Sequence, residues 1–258
     1  MASWGPSRDG RIYTRAEIDA GPLLAYAADL TARSGERVTI THVAARLVAL
    51  ALREVPQFNA RVVFGRIRGK DSIDVSLAVD IGAGNDLAPV LVRAADSKTA
   101  TEIAAEIGHG AGHVRAGTHR GFATTSGWIR AVPWFVLRPA LALASVWNGG
   151  LGLPALGQPG FPLGAAFVSN VGSLGLDEGY LAPLPLARCT LYVCLGAIRD
   201  RPAVVAGQVV PRPVMVLTAT ADHRIVDGAH AAQLATYLRA AFADPAAADA
   251  PAPLSEVR

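Results

Sequence analysis

Asp222-His223-Arg224-Ile225-Val226-Asp227-Gly228 stands between two runs of different periodicity. Residues 214–221 before it have strand composition, and residues 228–242 after it form an alanine-rich helical pattern. A histidine at such a junction is held by the strand and reachable from solvent. On residue types alone, His223 with Asp227 also fits a structural pair or half of a metal site. A metal needs further ligands. Of the other histidines (His42, His109, His113, His119, His230) only His230 is near in sequence, and His109 and His113 sit four apart on a fading helix, so no metal is expected. Asp227, followed by Gly228, suits a tight turn into the helix in which its carboxylate fixes a backbone or an arginine.

Working outward, residues 165–170, 190–198, 203–210 (turning at Ala206-Gly207) and 214–221 read as strands, antiparallel where connections are short. Ile73, Val75, Leu77 and Val79 alternate with Asp74, Ser76, Ala78 and Asp80, and residues 87–92 form another short strand. Helical spacing covers 22–32, with Pro22 at its first position and Gly35 after its end. A second, largely buried helix is capped by Thr39 or Thr41, carries Val43, Leu47, Leu50, Ala51 and Leu52, and stops near Pro56. A third begins at the capping box Thr99-Ala-Thr-Glu102 and fades at the glycines and histidines of 108–113. Helices and strands interleaved without regular βαβ alternation predict an α+β fold, a two-layer mixed sheet with packed helices. The chain carries no GxGxxG at a strand-to-helix turn and no Walker A sequence, which argues against nucleotide-cofactor enzymes. Residues 1–13 are expected to be a flexible leading segment, 14–245 the domain, and 246–258 a disordered Ala/Pro tail.

With 258 residues, 51% of them hydrophobic and 17% charged, the chain has ample material for a core and is not globally disordered. The net charge is +3, and the densest basic cluster is Arg66, Arg68 and Lys70 with Arg61 behind it. It reads as a solvated strand face. No nucleic acid partner is expected, and a phosphate-bearing small molecule stays open. Cys189 and Cys194 point to opposite faces of one strand, so they read as core thiols of a reducing compartment. The N-terminus has no apolar stretch ahead of its charges, so a cytoplasmic location is expected.

One segment does not fit a soluble core. Residues 139–176 carry no charge, and 128–147 hold Trp134, Phe135, Val136, Leu137, Leu141 and Leu143. Arg130, Arg138, Pro133 and Pro139 interrupt any span, so a transmembrane reading is rejected. Packing on its own domain or a neighbouring subunit, lining an apolar channel, and contact with a lipid surface all remain open. Exposed on a monomer it would be an aggregation patch, which favours an oligomer.

The run Ala221-Asp-His-Arg-Ile-Val-Asp-Gly-Ala-His-Ala-Ala-Gln-Leu-Ala-Thr-Tyr-Leu238 resembles the C-terminal signature of the 2-oxoacid dehydrogenase E2 acyltransferase catalytic domain. Phe167-Val-Ser-Asn-Val-Gly172, Leu195-Gly-Ala-Ile-Arg-Asp-Arg-Pro202, Pro56-Gln-Phe-Asn-Ala60, Pro89-Val90 and Glu17-Ile-Asp19 with Leu23-Leu24 extend the resemblance over 14–245, broken by an apolar insertion at about 118–163. The resemblance implies a chloramphenicol-acetyltransferase-like fold that forms homotrimers with active sites at subunit interfaces. It implies coenzyme A or acyl-CoA as substrate, His223 as general base toward the attacking thiol, Ser169 as hydrogen-bond donor to the oxyanion, and Asp227 as structural support. Direct transfer requires no acyl-enzyme, and neither cysteine has a base beside it in sequence.

Departures from the family pattern matter too. No lipoyl or peripheral-subunit-binding domain is expected here, because Lys70 lies ahead of a domain strand; a lipoyl carrier would act in trans, alongside E1 and E3 components. Asn85 and Asp86 replace a Gly-Leu pair ahead of Pro89-Val90. The Ala/Pro tail lacks an apolar anchor, so a trimer is expected and a large core is not. The competing reading is a non-catalytic trimeric scaffold whose insertion recruits a partner or membrane. A peptide-synthetase condensation domain shares the HxxxDG core but needs two such halves.

Overall fold

The computed structural model describes residues 10–80, 87–115, 133–154 and 160–250. Its centre is a helix, α2 (Ile40–Glu54), in which every residue from Val43 to Leu52 is buried. A helix apolar on all sides can only be stable when wrapped on all sides. Thr39 caps it, its own backbone N–H reaching Nδ1 of His42 at 3.2 Å, and Pro56 opens a separate turn just past its end. Around it lie α1 (Gly21–Ser34), α3 (Ala100–Arg115), α5 (Gly228–Ala243) and a six-stranded sheet.

The sheet order is β1 (Arg11–Asp19), β8 (Gln208–Asp222), β7 (Leu191–Val205), β6 (Ala166–Asn170), β4 (Val75–Asp80), β5 (Leu87–Val92). Pairs are antiparallel except β7 with β6 and β6 with β4. The expected mixed sheet and helical layer are therefore present. A separate hairpin pairs β2 (Ala60–Val63) with β3 (Arg66–Gly69). One sheet face gives Leu77, Val168, Val193 and Met215 to the main core. The other carries Ser169, Cys194, Thr218 and Tyr192, all buried; over part of it runs the 176–188 segment, where Thr218 donates to the Gly179 carbonyl and Tyr192 Oη accepts from Leu184 N at 3.0 Å.

Several expectations need correction. Residues 11–13 belong to β1, Arg11, Ile12 and Tyr13 pairing with Asp222, Ala221 and Thr220, because the outer edge of β8 needs a partner; residues 1–9 lie outside the described residues. The three strands expected over 190–221 are two continuous 15-residue strands. Pro202 and Pro211 do not interrupt them because they face each other, and a pair that exchanges no hydrogen bonds requires no N–H of either. Ala206 (φ 50°) and Gly207 (φ 79°) make the turn between them, both left-handed as a two-residue hairpin demands. Helix α3 does not fade at its glycines. A Cβ on Gly110 would stand 2.7 Å from Cγ1 of Val90, so the small residue lets the helix lie against β5.

Part of the expected disordered tail is also ordered. Residues Pro245–Asp249 form α6, started by Asp244, whose side chain accepts from Ala247 N at 3.1 Å. Asp249 is buried and meets Nε of Arg46, in the middle of α2, at 2.7 Å, the two side chains 3% and 7% exposed. Arg46 also donates to the carbonyls of Ala95 and Asp96, and Tyr26 Oη donates to Asp249 at 2.9 Å. Residues 251–258 lie outside the described residues. The basic cluster is not wholly solvated either: Arg66 and Arg68 are exposed, but Lys70 is buried, its Nζ donating to the Gly164 carbonyl. Both cysteines are free and buried.

Removing Asp249 strands the Arg46 charge, so Asp249→Ala should lower stability by about 3–5 kcal/mol in urea unfolding, and Arg46→Met with Asp249→Leu should cost less than the single change. Burial holds His42 neutral, its pKa lowered from 6.5 to about 4. Its contribution is therefore complete above pH 6.5 and is lost as pH falls toward 4, by up to about 3 kcal/mol. His42→Gln, which can still accept from Thr39 N–H, should flatten that part of the stability profile measured by chemical denaturation across this pH window.

Candidate active site

The turn that carries His223 is fixed from both sides. Asp222 N donates to the Thr190 carbonyl at 3.1 Å and His223 N to the Gly10 carbonyl at 3.2 Å, so the end of β8 stays in the sheet through its last residue. Ile225 N and Val226 N both reach the Asp222 carbonyl, and buried Val226 pins the loop to the core. Asp222 and Arg224 form a two-pronged ion pair with contacts of 2.6–3.2 Å, flanking His223.

The His223 ring is exposed, and its Nδ1 lies 2.8 Å from the Val226 carbonyl. A carbonyl oxygen only accepts, so Nδ1 must carry the proton and Nε2 presents a lone pair. Asp227 does not touch His223. It caps α5, accepting from His230 N at 3.0 Å, while its own N–H reaches Nδ1 of His230 at 3.3 Å. These contacts with His230 hold its carboxyl below the usual range. Of the two roles considered for this residue, fixing a backbone is what the geometry contains, and the arginine of the motif pairs instead with Asp222.

Ser169 is buried near the end of β6, two rows of the sheet away. It pairs with Cys194, which pairs with Thr218, five residues before His223 on β8. At about 3.3 Å per residue and 4.8 Å per strand, Ser169 and His223 are roughly 15–20 Å apart within one chain. One chain does not bring them together. The β6 end itself is firmly set: Asn170 donates from Nδ2 to Thr41 Oγ1 at 3.0 Å and accepts from Ser173 N at 3.2 Å. Gly172 and Gly196 let the following turn cross β7, since a Cβ on Gly172 would meet the Gly196 carbonyl oxygen at 2.3 Å. Sequence places Thr41 as a candidate helix cap and Asn170 in the Phe167–Gly172 run, but shows nothing that joins the two across 129 positions.

Beside the His223 turn runs a groove of about 800 Å³. Asp222 and Arg224 line one wall, Val62, Phe64 and Ile67 of the hairpin another, and Val146, Leu184 and Arg188 the remainder. Val146 comes from the apolar insertion. There α4 (Trp134–Ala144) contains Pro139 and continues into a wider turn, Ser145–Gly150. That turn is stitched to the groove wall: Ser145 Oγ donates to the Pro185 carbonyl at 3.1 Å, Arg188 Nε reaches Ser145 Oγ at 3.2 Å, and Arg61 Nε donates to the Gly150 carbonyl at 2.6 Å. A Cβ on Gly149 would collide with the Leu186 carbonyl oxygen at 2.4 Å. Of the readings left open, the end of the insertion packs on its own domain and lines a groove, while Phe135 and Leu143 remain 63% and 67% exposed. Residues 116–132 and 155–159, with His119 and Arg130, lie outside the described residues, as do Asn85 and Asp86. Among the described residues no three His, Cys, Asp or Glu side chains converge as a metal site, and no helix is long and apolar enough to cross a membrane.

Comparisons with known proteins bear on the fold and the family. The chain is 26% identical over 249 residues to a probable dihydrolipoyllysine-residue succinyltransferase component of the 2-oxoglutarate dehydrogenase complex, mitochondrial, of Schizosaccharomyces pombe, covering 93% of this chain and 46% of that protein. It thus spans about half the length of that relative. Its fold matches the dihydrolipoamide acetyltransferase of Azotobacter vinelandii, studied for the role of a serine, a histidine and an asparagine in its catalytic mechanism (TM-score 0.67, 20% identity, 93% of this chain and 84% of that one). A chloramphenicol acetyltransferase matches at TM-score 0.51 and 15% identity, over 91% of this chain and 89% of that one. The family model for the 2-oxoacid dehydrogenases acyltransferase catalytic domain aligns with residues 10–127 and 162–248, leaving out a stretch that falls within the insertion expected at 118–163. With that match over most of its length, the chain belongs to the 2-oxoacid dehydrogenase acyltransferase (catalytic domain) family.

Proposed function

We propose that this chain transfers an acyl group between coenzyme A and a thiol acceptor, a dihydrolipoyl group delivered in trans, at a site shared between copies of the chain. The observation that carries the reading is the 2.8 Å contact of His223 Nδ1 with the Val226 carbonyl, which in the neutral ring leaves Nε2 as the basic atom. The residue is exposed on the turn whose Asp222 and Arg224 line the groove. A thiol of pKa about 8.5 is mostly protonated at neutral pH, so an imidazole placed against it is worth about 10²–10⁴ in rate. The S–H proton passes to Nε2 as sulfur attacks the thioester carbonyl. The tetrahedral oxyanion then accepts a hydrogen bond from Ser169 Oγ, worth about 10²–10³. Collapse expels the second thiolate, which recovers the proton from Nε2. Asp227 supports this by holding α5 and the turn before it, without touching a reacting atom.

The separation of Ser169 from His223 makes the oligomer part of the mechanism. A base and an oxyanion donor must lie within hydrogen-bond reach of one tetrahedral centre, and roughly 15–20 Å within a chain forbids that. The His223 of one copy acts with the Ser169 of the next, and a closed homotrimer is the smallest cyclic arrangement the family resemblance supplies. E1 and E3 components, and the carrier of the lipoyl group, are the corresponding partners.

Three measurements test this. Nitrogen NMR at a pH where the ring is neutral should find His223 protonated on Nδ1; the opposite tautomer would put the proton on Nε2 and remove the base. His223→Ala should lower kcat with acyl-CoA and dihydrolipoamide about 10²–10⁴-fold and Ser169→Ala about 10²–10³-fold. Co-expressing the two inactive variants should restore a measurable fraction of activity, because some shared sites then hold both native residues. Mixed oligomers that form and stay as inactive as the parents would sink the shared site.

A further inference from the structure

The β2–β3 hairpin has two unlike faces. Val62 and Ile67, cross-strand partners, look into the groove beside His223. On the other face Arg61 stands directly across from Arg68, and Arg66 stands across from Val63. Strand alternation therefore gathers three guanidinium groups on one side. Like charges placed opposite one another on neighbouring strands are destabilising. Among the described residues no carboxylate forms an ion pair with Arg61, Arg66 or Arg68.

The cluster is also shaped. Together with Val63, Phe64, Gly150 and Leu151, the three arginines enclose a cavity of about 490 Å³. Arg61 is held in place by the Gly150 carbonyl at 2.6 Å and lies 4.6 Å over the Phe161 ring, which Lys70 Nζ approaches at 5.6 Å. Burial lowers the pKa of Arg61, and that of Lys70 to about 8. Arg66 and Arg68 are exposed and free to close on a ligand. One preset guanidinium, two adaptable ones and a buried ammonium behind them exceed what a single carboxylate would neutralise. Guanidinium forks match phosphate oxygens two at a time.

From this we infer that the Arg61, Arg66 and Arg68 face of the hairpin is a binding site for a small molecule bearing a pyrophosphate group. The site needs only the arginines and their pocket, and stands whether or not His223 acts as a base. Phe64, at the hairpin tip, lines both this cavity and the groove, so the two sites are neighbours that share this residue and differ in the rest of their lining.

The test is titration calorimetry of the full chain with inorganic pyrophosphate at low ionic strength, with sulfate as comparator. Saturable binding is expected, stronger than that of sulfate and weakening as salt is added. Arg66→Ser and Arg68→Ser lie on an exposed surface and should not lower the thermal midpoint, Arg68→Ser even relieving the repulsion with Arg61, while each weakens binding about tenfold, the size of one charge-assisted contact. Arg93→Ser, at an exposed arginine paired with Asp74, should not change the affinity. No saturable heat at millimolar pyrophosphate, or binding that the Arg66→Ser, Arg68→Ser double variant leaves intact, would overturn the site, as would equal affinity for sulfate, which marks an adventitious ion only.

Discussion

The fold is organised around one charge in the buried, otherwise apolar middle of a helix. Arg46 lies in the middle of α2, with buried residues on every side, and its guanidinium joins three distant pieces of chain: the Asp249 carboxylate, the Ala95 and Asp96 carbonyls, and through Asp249 the Tyr26 hydroxyl. A buried guanidinium is tolerated only when its donors are used. Meeting that demand seats α6 and the turn before α3 against the central helix, and so closes the helical layer over the sheet. Replacing Arg46 alone would leave the buried Asp249 carboxylate without its cation.

The sheet imposes the second constraint, on chemistry. Register is set residue by residue from β6 to β8, so the position of Ser169 relative to His223 cannot be adjusted by side-chain motion. Within one chain the sheet keeps these two groups apart, and on the proposed mechanism they would meet only through another copy. Anything that slips β7 against β8 moves one of them and not the other.

What could be read from the chain alone follows the range of the interactions involved. The strand at 87–92, the Thr39 cap and the Ala206-Gly207 turn are local, written within a few residues, and appear where expected. Residues 11–13 and 245–249 are ordered by partners about two hundred positions away, on β8 and on α2, which no window of sequence displays. Gly108, Gly110 and Gly112 mislead for a related reason: glycine weakens a helix locally, yet here one of them serves a close contact with β5. At the site, the His223-to-Asp227 turn is legible because both ends of its logic lie in seven residues. Ser169 is legible only through resemblance, and the groove draws its walls from separated segments whose meeting is a tertiary fact. The apolar surplus of the composition is likewise divided, between α2 and its wrapping and an insertion helix with bare outer residues.

The Ser145–Gly150 turn is held by its own residues: Ser145 Oγ bonds the Pro185 carbonyl, Arg61 bonds the Gly150 carbonyl, and the Gly149 backbone rests against that of Leu186. These contacts ask for Ser145 and Gly149 in particular. The exposed residues of α4 ahead of the turn, Phe135 and Leu143, take no part in them, so substitutions there should leave the groove wall in place. Natural variation can rewrite the outer surface of the molecule there while the residues around His223 keep their geometry.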